Sequence, residues 1–258
     1  MGELGVGVWG YIRVKVSDGQ KYRFENTIKN ECVSALRDCL KNGTTSKISQ
    51  MQLVGSVSGG GGSYSSVMSV SGASDEPYTA EFWNAWGSPA GPSQTLTVSG
   101  FKLLNADSTV YAERTLSLSE QFTAGYNTTI QVEYVLSFSG NQPGKYNGLD
   151  YEIMSMCRNA LVDGSSYKFW FHSVTNNDKS QQVAFGSPTI TAETYSPGSS
   201  NFYAIKLETK GEDPPWEPYY ARLFNSQNTQ MDEQFISESI GDSLINLTHI
   251  VYFTPMIS

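Results

Sequence analysis

The chain has 258 residues and a formal net charge of −8; 39% of its residues are hydrophobic and only 16% are charged. Aromatic residues reach 12%. Disordered chains are poor in aromatic residues, so this chain is expected to fold. The acidic balance argues against a nucleic-acid surface, which needs clustered Lys and Arg, and we predict no nucleic-acid partner. Lys15, Lys21, Arg23 and Lys29 are close in sequence. We interpret them as scattered surface charge rather than as a phosphate-binding patch.

Targeting and redox signals are weak in this sequence. No window approaches the ~18 apolar residues of a membrane span, so no membrane partner is predicted. The first residues lack the charged segment and apolar run of a signal peptide, and synthesis in a reducing cytoplasm is expected. Cys32, Cys39 and Cys157 show no metal-ligand spacing. They are interpreted as small buried hydrophobic residues.

The chain opens with the pattern of a β-hairpin followed by a helix. Residues 6–16 alternate and are rich in β-branched side chains, and a turn at 17–20 leads to a partner strand at 21–24. Apolar side chains then recur at helical spacing: Ile28, Cys32, Ala35, Leu36, Cys39 and Leu40. The spacing predicts a helix over 26–42, capped by Asn26 or Thr27 and ended by Gly43.

Short strands and polar loops complete the first half. Strands are predicted at 48–53, 78–83, 94–98, 101–104 and 110–118, with a long closing strand at 129–138. The glycines at 59–62 and the serines around them predict a flexible loop. Residues 140–144 have the composition of a linker.

The second half repeats the pattern of the first. Apolar residues from Leu149 to Leu161 have the same helical spacing, which predicts a helix over 149–163 ended by Gly164. The closing strand at 130–138 matches 245–253, and the stretch 102–109 matches 222–229. Three anchors in the same order indicate an internal duplication, with domains at 1–140 and 145–258.

The predicted fold is mainly β. Each half has one short amphipathic helix near its start and several short strands separated by polar loops. This pattern predicts two tandem antiparallel β-sandwich domains, jelly-roll-like or immunoglobulin-like in plan.

No cluster of residues points to catalysis, a metal or a cofactor. His172 and His249 lie within strand patterns and are interpreted as structural residues, and no zinc-binding spacing exists. Glu212 and Asp213 are adjacent acids beside two prolines, without the spaced oxygen ligands that calcium needs. We predict that the protein is not an enzyme.

Aromatic residues are the candidate contact residues: Trp83, Trp86, Trp216, Tyr219 and Tyr220. Exposed Trp and Tyr side chains stack on sugar rings or anchor protein interfaces. Alternatively, these side chains cap the ends of the two sandwiches. The sequence leaves both interpretations open.

The order of elements resembles virion structural proteins of tailed bacteriophages, namely their collar, baseplate and fibre-attachment domains. The segments that carry the resemblance are the helix NTIKNECVSALRDCLKNG, the strand KISQMQLVGS, the Gly/Ser loop and the stretch from FKLLNADSTV to the closing strand. The resemblance implies a non-enzymatic virion protein of a tail, baseplate or vertex appendage, made in the host cytoplasm. Its implied partners are other copies of itself and other virion proteins, and it implies no catalytic residues.

Two alternatives stay open at this stage. A tandem pair of jelly-rolls is also the plan of some viral capsid proteins. A receptor- or carbohydrate-binding protein would use exposed Trp residues against a host-surface glycan. A polysaccharide-cleaving enzyme is disfavoured, because the sequence offers no pair of facing carboxylates.

Overall fold

The computed structural model describes residues 2–44, 47–60, 62–73, 78–140, 149–165, 168–185, 188–195, 202–212, 214–235 and 244–255. Within them the chain is mainly β, which confirms the predicted class, and two helices accompany the strands: α1 (Asn30–Asn42) and α2 (Leu149–Val162). The strands are β1 (Gly2–Val16), β2 (Lys21–Glu25), β3 (Thr27–Ile28), β4 (Ile48–Val57), β5 (Gly62–Ser69), β6 (Ser71–Ala73), β7 (Thr79–Gly87), β8 (Leu96–Asn105), β9 (Val110–Thr115), β10 (Phe122–Ala124), β11 (Thr129–Gly140), β12 (Phe169–Thr175), β13 (Gln182–Ala184), β14 (Thr189–Tyr195), β15 (Phe202–Glu212), β16 (Tyr220–Asn225), β17 (Gln230–Phe235) and β18 (Leu244–Pro255).

Eight strands form one sheet to which both halves of the chain contribute, called here the shared sheet. Its order is β14-β15-β18-β1-β11-β7-β6, and β2 also pairs with β1. The central strand β1 pairs antiparallel with β11 and parallel with β18. Val8, for example, lies opposite both Phe138 and Pro255. The first and last strands of the chain are therefore neighbours.

Two further sheets are antiparallel and each belongs to one half. The N-terminal sheet has the order β3-β9-β8-β4-β5, with β10 also pairing with β8. The C-terminal sheet has the order β13-β12-β16-β17. The division into domains at 1–140 and 145–258 stays a prediction, as does their tandem sandwich arrangement.

The closing strands of the two halves bury alternate side chains, as their sequence pattern predicts. β11 buries Ile130, Val132, Tyr134, Leu136 and Phe138 on one face, and Val135 and Ser137 on its other face are buried as well. β18 buries Ile245, Leu247, His249, Val251 and Phe253. One hydrophobic core includes residues of both helices and of all three sheets, and a smaller cluster lies between β12, β16 and β18.

The first helix begins later than the sequence predicts. It starts at Asn30 rather than at residue 26, because Thr27 and Ile28 pair with β9 as the short strand β3. Ile28 is therefore buried as a strand residue, and Lys29 occupies the N-cap position without a side-chain cap bond. Gly43 ends the helix as predicted: its φ is 71°, and its N–H donates to the Cys39 carbonyl at 2.7 Å. The second helix ends at Val162, just before Gly164, which also has a positive φ of 78°.

The predicted flexible loop around 59–62 is only partly right. Gly59 and Gly60 form a turn with positive φ, but the serine-rich stretch after it is the strand β5. This strand pairs with β4 along its whole length and forms an edge of the N-terminal sheet. Backbone hydrogen bonds hold an edge strand without an apolar face, and Val67 and Met68 of β5 stay exposed.

Candidate functional site

The two tryptophans predicted in the first half lie on opposite faces of β7. Trp83 is 46% exposed, whereas Trp86 is only 2% exposed and packs in the core. Residues three apart on a strand point to opposite faces of the sheet, so the two rings cannot act together. Of the two interpretations, that of a contact residue stays open for Trp83, whereas Trp86 is a core residue.

The candidate aromatics of the second half are half-buried rather than displayed. Trp216 packs against the small cluster between β12, β16 and β18. The rings of Tyr219 and Tyr220 meet edge-on at 5.0 Å, and Lys179 Nζ lies 4.6 Å from the centre of the Tyr220 ring. These contacts are typical of side chains that close the end of a sheet. Trp83 is thus the predicted aromatic with the most accessible ring.

The hairpin β1–β2 places four cations together on the outer face of the shared sheet. Its register sets Arg13 directly opposite Arg23 and Lys15 directly opposite Lys21. All four residues are exposed. Like charges directly opposite on neighbouring strands destabilise a sheet, so this arrangement is unfavourable for the hairpin itself.

The four cations line one concave surface, called here the cationic groove. It encloses a cavity of about 430 Å³, lined by Arg13, Val14, Lys15, Lys21, Tyr22, Arg23, Gln131 and Glu133. The lining carries four positive charges and one negative charge. None of the ion pairs in the described part of the chain includes Lys15, Lys21 or Arg23.

Tyr11 and Glu133 fix the two arginines of the groove. Arg13 donates to Glu133 Oε2 at 3.0 Å and to the Tyr11 hydroxyl at 2.6 Å. The hydrogen bond to Glu133 raises the pKa of Arg13 above its ordinary value, and partial burial opposes this. The guanidinium carbon of Arg23 lies 4.1 Å from the centre of the Tyr11 ring. The groove therefore holds its guanidinium groups in defined positions.

The strand register extends the groove towards Trp83. Arg23 pairs with Arg13, Arg13 with Glu133, and Glu133 with Trp83, so these four side chains form one row across four strands. Adjacent strands are about 4.8 Å apart, which places the Trp83 position roughly 10 Å from Arg13. Glu133 is thus a neighbour of both Arg13 and Trp83 on one face, although it is 120 and 50 positions away from them in sequence.

The two histidines lie in the interior of the second half. Their rings stack at 4.8 Å, and His172 Nδ1 lies 2.6 Å from Thr209 Oγ1. His172 is 0% exposed and His249 is 4% exposed. As predicted, both are buried strand residues, and neither ring reaches the surface.

The three cysteines are also interior residues. All are free thiols and all are buried, as predicted. Burial raises the pKa of Cys32 to about 12. Burial also raises the pKa of Cys157, and the neighbouring Cys39 and Cys32 add to the effect. Within the described ranges no three His, Cys, Asp or Glu side chains are grouped as metal ligands would be.

Comparisons with known proteins return no relative of this chain: no family model matches it, and no curated protein or solved structure matches either. No helix in the described part of the chain is long and apolar enough to cross a membrane.

The interpretation as scattered surface charge is wrong for Lys15, Lys21 and Arg23, which line the groove, whereas Lys29 lies outside it and pairs with Glu113. The sequence does contain a signal for the groove. In a hairpin that turns at 17–20, residues whose numbers add up to 36 lie opposite one another. Lys15 then faces Lys21, and Arg13 faces Arg23. The position of Trp83 has no such signal, since it depends on pairing between distant strands.

Proposed function

We propose that this protein is a non-enzymatic structural component of a virion, which assembles through contacts with its own copies and with other virion proteins. A phage tail, baseplate or vertex appendage is the proposed location. The class comes from the resemblance of its element order to tailed-bacteriophage virion proteins. The observation that carries the proposal is the agreement between the two halves of the chain.

Strand order supports a duplication. The N-terminal sheet contains the series β9-β8-β4-β5, and the C-terminal sheet contains the series β17-β16-β12-β13. In both series the spatial order is the fourth, third, first and second strand along the chain. In the shared sheet, β1 is flanked by β11-β7-β6 on one side and by β18-β15-β14 on the other. We infer two related β-sandwich units, each with one helix before the first strand of its own four-strand series.

A matched turn supports the same inference at the level of single atoms. Asn105 Oδ1 accepts from the backbone N–H of Asp107 at 3.0 Å and of Thr109 at 2.8 Å. Asn225 Oδ1 accepts from the N–H of Gln227 and of Thr229, both at 2.9 Å. The fourth residue of each turn has a positive φ, 62° at Ser108 and 64° at Asn228. Two turns built alike at matched positions are expected of a duplicated unit.

A duplicated unit suits an assembly. Two related units present two related surfaces, and these match neighbouring subunits in a symmetric or pseudo-symmetric particle. Because β1 pairs with strands of both halves, the two units would move as one block. Two units joined in one block suit a building component.

The test is the association state of the purified chain. Light scattering from micromolar to millimolar concentration, alone and mixed with structural proteins of the same particle, is expected to give a mass of several chains. Electron microscopy of the same samples distinguishes rings or tubes, expected of a tail component, from the closed shells of the double jelly-roll capsid alternative. A strict monomer in all mixtures would contradict the proposal, and so would turnover of a polysaccharide by the chain.

A second candidate function is favoured by one observation. Trp83 displays its ring beside the cationic groove, as a glycan-binding protein would require. Binding of a host-surface glycan is therefore the alternative function.

A further inference from the structure

We propose that the cationic groove and Trp83 form one binding site for an acidic polysaccharide, that is, a sugar chain bearing carboxylate or sulfate groups. The lysines and arginines of the groove bind the anionic groups, and the ring of Trp83 stacks on a sugar face. Glu133, between them, accepts hydrogen bonds from sugar hydroxyls. The site is independent of the assembly proposed above, because it needs only one chain.

The charge of the groove is largely uncompensated. The cross-strand pairs Arg13–Arg23 and Lys15–Lys21 place like charges together, and Glu133 neutralises only Arg13. The groove keeps a net charge of +3 in a chain whose overall charge is −8. Such an arrangement costs stability in the free protein. An anionic ligand removes that cost, so the groove is complementary to anions.

The size and length of the site fit a polymer of linked groups. The cavity of about 430 Å³ is of the size that small-ligand sites have. Arg23, held against the Tyr11 ring, presents a planar guanidinium that fits a carboxylate or sulfate with two hydrogen bonds. The row from Arg23 to Trp83 crosses four strands, and its length of roughly 14 Å exceeds a single anion. A polymer with several linked groups fits it.

The acidic residues near Trp83 favour a glycan over a nucleic acid as the ligand. Both a glycan and a nucleic acid would stack on Trp83 and bind the Lys and Arg side chains of the groove. However, Glu133 lies directly beside Trp83 on the neighbouring strand. Glu81 precedes Trp83 by two residues on β7 and lies on the same face. A carboxylate repels the anionic groups of both polymers, but every unit of a sugar chain also carries hydroxyl groups that donate hydrogen bonds to a carboxylate. The acids around Trp83 therefore favour a sugar chain.

A second copy of the chain is a weaker fit for the groove. A two-fold axis that passes through the groove would place groove against groove, and the two would repel. A head-to-tail contact would instead have to fill the cavity with an acidic projection of the partner. The exposed Trp83 would have no assigned role in such a contact.

The first experiment measures binding of defined polymers to the intact chain by calorimetry. The probes are polygalacturonate as the acidic polysaccharide, dextran as the neutral one, and oligothymidylate as the nucleic acid. Polygalacturonate is expected to bind, with an affinity that falls as NaCl rises, because groove and polymer attract through charge. Dextran is expected not to bind, and oligothymidylate to bind at least about tenfold more weakly.

The second experiment uses matched variants. Lys15→Gln with Lys21→Gln is expected to weaken polygalacturonate binding about tenfold, and Trp83→Ala about fivefold. Lys47→Gln with Lys210→Gln removes the same charge from exposed residues outside the groove. Trp170→Ala removes a ring that is 47% exposed and lies 5.1 Å from Lys168 Nζ, away from the groove. Both controls are expected to bind like the original chain.

Several results would overturn the proposal. These are an absence of polygalacturonate binding, equal loss in the control variants, or oligothymidylate binding as tight as that of polygalacturonate. Salt-sensitive self-association that the lysine variant abolishes, without polymer binding, would assign the groove to a second copy and also overturn it. The salt dependence of the unaltered chain keeps the test decisive even where a variant folds poorly.

Discussion

The N-terminal and C-terminal halves share a strand order but differ in what they enclose and display. At the middle of β11 the inward side chain is Tyr134, and at the matching place of β18 it is His249, stacked on His172. The N-terminal half also carries the hairpin β1–β2, whose outer face is the cationic groove, and the described C-terminal strands contain no matching hairpin. Similar strand orders are therefore compatible with a tyrosine at the centre of one core and a histidine pair at the centre of the other. The cationic groove lies on a hairpin that only the N-terminal half has among the described strands.

The largest expected effect comes from the strand that joins the two halves. Val8→Asp places a charge at a fully buried position between β11 and β18, and we expect a loss of about 4 kcal/mol of unfolding free energy. Because β1 pairs with both halves, both should lose stability in one transition. Urea unfolding followed by fluorescence and circular dichroism measures this. Lys15→Asp, exposed on the same strand, is the control, and an unchanged C-terminal transition would contradict the coupling.

The next comparison concerns the two matched core positions. Tyr134→Ala removes a large, fully buried ring and is expected to cost about 4 kcal/mol. His249→Ala leaves a smaller cavity and is expected to cost about 2 kcal/mol. Thermal and urea unfolding of the two variants measure the difference. Equal costs would mean that the stacked histidine pair contributes as much to its core as the tyrosine does.

A smaller effect is expected at the matched turns. Asn105→Ala and Asn225→Ala each remove a side-chain oxygen that accepts two backbone hydrogen bonds. We expect about 1 kcal/mol for half-exposed Asn105 and about 2 kcal/mol for buried Asn225. Asn105→Asp retains the acceptor and should recover most of the stability. Asn105→Ala with no effect would show that its turn is held by backbone bonds alone.

The smallest expected effect contrasts two ion pairs. Glu233 bonds Lys179 at 2.6 Å and Arg222 at 2.7 Å; burial opposes ionisation, but these bonds lower the pKa of Glu233. Glu233→Gln should cost about 1 kcal/mol, against under about 0.5 kcal/mol for Glu133→Gln at the more exposed pair with Arg13. Because the folded pKa of Glu233 is lowered, its contribution is fully present above the unfolded pKa of about 4.3 and is lost as the pH falls through the folded pKa. Urea unfolding at pH 7 and pH 3 measures this, and an unchanged difference at pH 3 would contradict it.

Local signals predicted much of the fold. The apolar spacing located both helices, and positive-φ glycines ended them at Gly43 and near Gly164. Alternation located the closing strands and their inward faces, since a buried sheet face repeats every two residues. In each case the determining interaction lies within a few residues of sequence.

The missed features depend on distant partners. Ile28 fits the helical spacing, but pairing with Ala112 of β9 makes it a strand residue. β5 has no apolar face, and its partner β4 holds it through the backbone. The same holds for the candidate site, because the neighbourhood of Trp83 and Arg13 follows from the pairing of β7, β11 and β1. Sequence periodicity contains no information on such pairing.

The parallel contact between β1 and β18 also sets an order of events during synthesis. Gly5 pairs with Tyr252, so the partners are separated by almost the whole chain. The first strand leaves the ribosome long before the last. Until β18 follows, residues 2–8 of β1 have no partner strand on that edge, whereas β2 already pairs with residues 11–15 of the same edge. Pairings of such sequence separation form slowly, because a long loop must close first. The nascent first half therefore has an unpaired strand edge until β18 is synthesised, and the shared sheet is completed last.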